Sequence, residues 1–121
     1  MSWLSAAATD PLDLVPAARD RLAALVDAVY AGDVDPATLD LCRRRIESLI
    51  AGRPMALPDD VNAGQEAALA FTEQYVLDVR GFTEADDAAL HAHFTDAQLT
   101  TLTFAVAVFD ATARTYAVLG A

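Results

Sequence analysis

Apolar residues early in the chain recur one helical turn apart: Leu22, Leu25, Val26 and Val29 share a stripe, while Arg19, Asp20, Arg21 and Asp27 fall mostly away from it. The spacing predicts a helix that begins at Asp10-Pro11 or Val15-Pro16 and runs to Ala31, ahead of Gly32. A second stripe, Leu39, Cys42, Ile46, Leu49 and Ile50, lies on one face of a helix with explicit boundaries. Asp35 can accept from the first free N–H groups of that helix. Pro36 suits its first position, where no N–H is needed, and Gly52 tolerates the left-handed turn that ends it.

Three further helices follow from capping chemistry. Asn62 with Gln65 forms a reciprocal cap ahead of "EAALAFTEQYVLDVR", which is expected to run on to Gly81. Thr83 caps a short helix, "TEADDAALHAHF", whose first-turn acids suit the positive end of the helix dipole. Thr95 with Gln98 opens "DAQLTTLTFAVAVFDATARTYAVLG", closed by Gly120. This last helix is apolar around most of its circumference from Leu99 to Val108, and is therefore expected to be buried on all sides, partly by another subunit. No strand alternation or internal repeat interrupts the pattern. The expectation is an all-α, single-domain bundle of about five helices over residues 11–121, behind an N-terminal arm, residues 1–10, in which Trp3 and Leu4 are candidate anchors.

Composition adds limits. A chain of 121 residues fits one domain that buries roughly two-thirds of its unfolded surface. A formal net charge of -10 sets up a field that repels phosphate backbones and acidic membrane surfaces, so neither is an expected partner. The longest apolar run, "FAVAVF", is far shorter than the ~20 residues a membrane span requires, and the N-terminus lacks the basic stretch of an export signal. A soluble, cytoplasmic protein is expected.

Chemistry-bearing residues are few. Cys42 is the only cysteine, so no internal disulfide can form and a reducing compartment is the default. Its place in the apolar stripe predicts a buried, inert thiol. His91 and His93 are two apart on a helix and face different directions, which does not suit a shared metal; no metal or other cofactor is expected. Arg43, Arg44 and Arg45 form the one basic cluster, within reach of Asp40 and Glu47 for ordinary salt bridges.

From Gln65 onward, "EAALAFTEQYVLDVRGFTEADDAALHAHFTDAQLTTLTFAVAVFDATAR" resembles the carboxymuconolactone decarboxylase and alkylhydroperoxidase D-like family, whose members read "ERAALAFAEALT…VTD…L…HFSDAEIVELT…IALFNALNR". The helix "DPATLDLCRRRIESLIAG" similarly resembles the family's "DPALRELVRLRVAQLNG". The resemblance implies an alkylhydroperoxidase D-like helical fold and assembly into dimers, trimers or larger rings. Family members with thiol chemistry carry a Glu on the second helix, followed at fixed distance by C-x-x-C-x-x-x-H. Laid on this chain, the Glu position is Asp40, the thiol positions are Gly52 and Met55, and the His position is Asp59. The segment after the motif is also shortened here. The resemblance thus implies a degenerate member without thiol peroxidase activity, acting through oligomerisation or as an interaction module, with a protein partner possible.

Three residues are the candidates for any residual site. Glu73 matches the Glu of the family's "FAE" and projects near an apolar face, where burial would suit it to acid–base work. It is expected to pair with Arg45 or Arg114. Arg114 matches the Arg of the family's "NR" ending, although Ala113 and Asp110 replace the neighbouring asparagines. The alternative function is a non-thiol acid–base enzyme, or a binder of a small carboxylated ligand, built on Glu73 and these arginines.

Overall fold

Both proline positions near the start of the chain open helical segments. In the computed structural model, which describes residues 10–120, a 3₁₀ turn spans Pro11–Leu14 and α1 spans Pro16–Tyr30. The predicted arm, with Trp3 and Leu4, lies outside the described residues except for Asp10. That residue is tied to the body: its Oδ1 accepts from Leu12 N at 3.0 Å and from the Tyr116 hydroxyl at 2.9 Å.

The other helices begin and end where their caps place them. In α2 (Pro36–Ala51) the Asp35 carboxylate accepts from Ala37 N at 3.2 Å. At its end Gly52 adopts φ 68°, which lets Gly52 N donate to Leu49 O and Arg53 N donate to Ser48 O, satisfying two carbonyls the helix leaves open. Reciprocal caps open α3 (Ala63–Leu77) through Asn62 and Gln65, α4 (Glu84–His91) through Thr83 and Asp86, and α5 (Asp96–Leu119) through Thr95 and Gln98. Gly120, at φ 77°, ends α5. No strand occurs among the described residues, and the fold is an all-α bundle of five helices.

Two boundaries differ from the expectation. α4 ends at His91, so His93 lies in the turn beyond it and the two histidines do not share a helix. The third helix stops at Leu77 instead of continuing to Gly81, and Val79–Gly81 form a separate 3₁₀ turn. Asp78 leaves helical geometry, at φ -161° and ψ 84°, and the Gln74 side chain donates to its carbonyl in place of the next helical N–H.

α2 runs through the centre, packed between α3 on one side and α5 on the other. α2 and α5 run parallel: Gln98 Nε2 donates to Asp33 O at 3.3 Å where both begin, and one helical stretch later Arg43 lies over the Phe109 ring, 5.4 Å from its centroid. α1 runs antiparallel to them, with Tyr30 against Phe109 at one end and Asp10 against Tyr116 at the other. Leu39, Cys42 and Ile46 of α2 meet Leu102, Ala105 and Val106 of α5 and Ala68 of α3 in a fully buried core. Each large aliphatic side chain there is worth about 1.5–3 kcal/mol of transfer from water. The α1–α2 turn also comes close to α5. A Cβ on Gly32 would sit 2.9 Å from Thr101 Cγ2, so a side chain there would require Thr101 or the turn to shift.

Two stripes are less covered than their apolarity predicts. α5 is buried on one side only: Leu102, Ala105, Val106 and Phe109 face the core, while Phe104 (59% exposed) and Val118 face outward. The cause is geometric, since the other four helices all pack on one half of its circumference. Of the α1 stripe only Val29 is buried, and Leu25 remains 43% exposed because α1 leans on α5 and leaves a gap toward α2. By length and composition alone α5 could cross a bilayer, a test that core helices of soluble proteins also pass, and its core face is here packed into the bundle.

Candidate functional site

Glu73 and Arg45 come together although 28 residues separate them. Arg45 Nε donates to Glu73 Oε1 at 2.8 Å across the α2–α3 contact. Arg45 Nη1 also donates to Ser48 Oγ, whose hydroxyl in turn donates to Arg45 O, so the guanidinium is held from its own helix. The Glu73 side chain is 44% exposed, a boundary carboxylate at the edge of α3. Beside the pair is a depression of about 390 Å³, lined also by Met55, Leu57, Glu66 and Leu69. Met55 is the residue at the second thiol position of the resemblance. Its thioether can pack there but cannot ionise, attack a peroxide or form a disulfide.

None of the remaining positions of that motif carries a thiol or an imidazole. Gly52 is the left-handed end of α2 with no neighbour to its missing Cβ, and Asp59 is exposed in a turn. Cys42 lies ten residues before Gly52, about 15 Å along the helix. It is fully buried, and burial pushes its thiol up to about 11, an effect only partly offset by the Thr72 hydroxyl. Thr72 is itself buried and donates to Ala68 O at 2.8 Å.

Arg114 is placed away from this pair. Its Nε donates to Asp110 Oδ1 at 2.8 Å and its Nη2 to Val76 O at 3.2 Å, which ties α5 to the end of α3. Of the two partners weighed for Glu73, Arg45 is therefore the one it has. Arg43 pairs with Glu47 at 3.4 Å, while Asp40 accepts from the Tyr30 hydroxyl at 2.6 Å. His91 Nδ1 lies 2.9 Å from Asp87 O. Its pKa is raised, first by that backbone carbonyl and then by the Asp87 charge, with a smaller contribution from Asp96. No group of three or more His, Cys, Asp or Glu that could hold a metal occurs among the described residues.

A second concavity was not visible in the sequence. A groove of about 710 Å³ opens between α1, α2 and α5, where the half-buried Leu22 and Val26 of α1 face Ile50 of α2 and Phe109 of α5. The only advance signal was the α1 stripe itself, which could equally have met a helix. The sequence matches no protein-family model and no curated protein.

Proposed function

We propose that this protein is a catalytically degenerate relative of the carboxymuconolactone decarboxylase and alkylhydroperoxidase D-like proteins, without thiol redox activity, which acts by self-association in the reducing cytoplasm. The observation that carries the first part is Met55 beside the Glu73–Arg45 pair: a thioether stands where the resemblance calls for a thiol, while the single thiol of the chain is sealed in the core. No thiolate is then available at neutral pH to attack a peroxide.

Support for self-association comes from the outward face of α5. Thr100, Phe104, Ala107, Ala111 and Val118 follow one line along the helix, about 27 Å long and opposite the core face. The hydroxyls of Thr100, Thr103 and Thr115 donate to carbonyls four residues back, so the groups they turn outward are largely methyls. Arg114, which flanks this line, is engaged with Asp110 and Val76, and the exposed Asp96 flanks only its start. An uncharged, small-residue helix face of this kind suits close packing against a second copy. Sedimentation at micromolar concentration tests the reading. A multimer is expected that Phe104→Glu converts to monomer with little change in helicity, since Phe104 contributes little to the core. A strict monomer in the unaltered chain, or peroxide reduction that depends on Cys42, would reject it.

A second reading rests on the 390 Å³ depression. Glu73 is half exposed at its edge and could serve as an acid or base toward a small ligand. Arg45 is already neutralised by Glu73, and Glu66 adds negative charge, so the depression is a poor receptor for carboxylates. Loss on Glu73→Gln of a lactone-directed or decarboxylase activity, with the fold intact, would raise this reading above the first.

A further inference from the structure

The groove between α1, α2 and α5 has a floor and a charge pattern that go beyond the assembly reading and are independent of it. Its volume, about 710 Å³, is in the range of small-molecule sites, roughly 300–1,000 Å³. Three helices contribute apolar surface to it, chiefly through Leu22, Val26, Ile50 and Phe109. The α1 side chains stay half-buried, since no described residue fills the space beneath them.

Charge selects what could fill it. All eight basic residues of this acidic chain are arginines, and three of them, Arg19, Arg43 and Arg53, line the groove. Arg19 is bound by Asp13 and Asp20, and Arg43 by Glu47 and the Phe109 ring. The Arg53 guanidinium has no ion-pair or hydrogen-bond partner among the described residues. It follows the end of α2, which by the parallel register belongs to the same end of the groove as Tyr116 of α5. Asp10, Asp27 and Glu47 also line the groove and balance the three arginines formally. A polyanion would be opposed by those carboxylates, whereas a single planar carboxylate matches the free fork of one arginine.

We propose that this groove is a binding site for an amphipathic monocarboxylate, its apolar body lying on Leu22, Val26, Ile50 and Phe109 and its head on Arg53. Calorimetric titration of the full-length protein with decanoate, decanol and decyltrimethylammonium tests it. Decanoate is expected to bind one per chain and more tightly than either analogue. Arg53→Ala, an exposed position outside any helix, should weaken decanoate about tenfold and leave decanol unchanged. Ala113→Trp, which fills the groove, should abolish binding of both while circular dichroism still shows the folded bundle. Equal affinity for decanoate and decanol, or indifference to Arg53→Ala, would overturn the assignment of the head group. Failure of every probe to bind would overturn the site itself. That includes the case in which a second copy fills the groove, recognised by a concentration-dependent mass that decanoate does not alter.

Discussion

Replacing Cys42 by alanine probes the centre of the bundle with the smallest possible change. The sulfur is about the size of one methylene, worth about 0.8 kcal/mol of transfer. The void it leaves between α2, α3 and α5 adds roughly 0.5 kcal/mol at about 24 cal/mol per Å³. Cys42→Ala should therefore lower stability by about 1–1.5 kcal/mol, read as a lower urea midpoint with an unchanged slope. The thiol also makes a pH signature. Its folded pKa, about 11, stands above the unfolded 9.0, so the folded state holds the proton more tightly. The associated stability is complete below pH 9 and is lost as pH rises through 11, at about 1.4 kcal/mol per pH unit. Tyr30 and Tyr116, whose pKa values are raised chiefly by burial, contribute in the same direction, so the informative quantity is the difference between the two proteins. The alanine variant should lose less stability between pH 9 and 11. At neutral pH the raised pKa alone reduces thiolate about a hundredfold, and the packed helices block access further. Ellman's reagent should label Cys42 only after denaturation. Stoichiometric labelling of the native protein within minutes, or a variant as stable as the parent, would show that the residue is not in a closed core.

The Arg45–Glu73 pair is partly exposed on both sides, and a double-mutant cycle with Arg45→Met and Glu73→Gln should give a coupling of about 0.5–1 kcal/mol; more than 2 kcal/mol would mean that solvent screens it far less than its exposure implies. Gly52→Ala should cost about 1 kcal/mol in chemical denaturation from backbone strain alone, because φ is 68° and no atom lies within 4 Å of the added Cβ; an unchanged midpoint would contradict the left-handed helix end. The NMR titration of His91 should show a pKa above the ordinary imidazole value that falls only partly in Asp87→Asn, since the backbone carbonyl is the larger cause. The stability linked to it is complete below the ordinary pKa and disappears as pH rises through the raised one. A titration at or below the ordinary value would remove the Asp87 contact from the solution structure.

Helix starts were the most legible features because they are written in short-range chemistry. Asp35-Pro36, Asn62 with Gln65 and Thr95 with Gln98 act on N–H groups two or three residues away, and no distant contact competes with them. The end of α3 was not legible, since "LDVR" continues a good helical sequence and the stop arises from a local exchange between Gln74 and Asp78. Periodicity reported how apolar each face of α1 and α5 is, but not whether a neighbour exists to cover it, which is why both proved more exposed than expected. Glu73 could be placed near an arginine, though only the α2–α3 contact chose Arg45 over Arg114. Met55 joins that pair through a loop that has no repeating pattern to read.

The parallel pairing of α2 with α5 also constrains how the chain is made. Asp33 and Gln98, which mark the start of that contact, are 65 residues apart, and α5 is the last of these five helices to be synthesised. Until it emerges, the Leu39–Cys42–Ile46 face of a nascent α2 lacks its α5 partner and is covered chiefly by α3, on one flank. Contacts of this sequence separation close late and slow folding. The half-made protein therefore displays an apolar helix face in the crowded space around the ribosome, and synthesis stalled before Asp96 should yield a product that is degraded or aggregates instead of a smaller stable bundle.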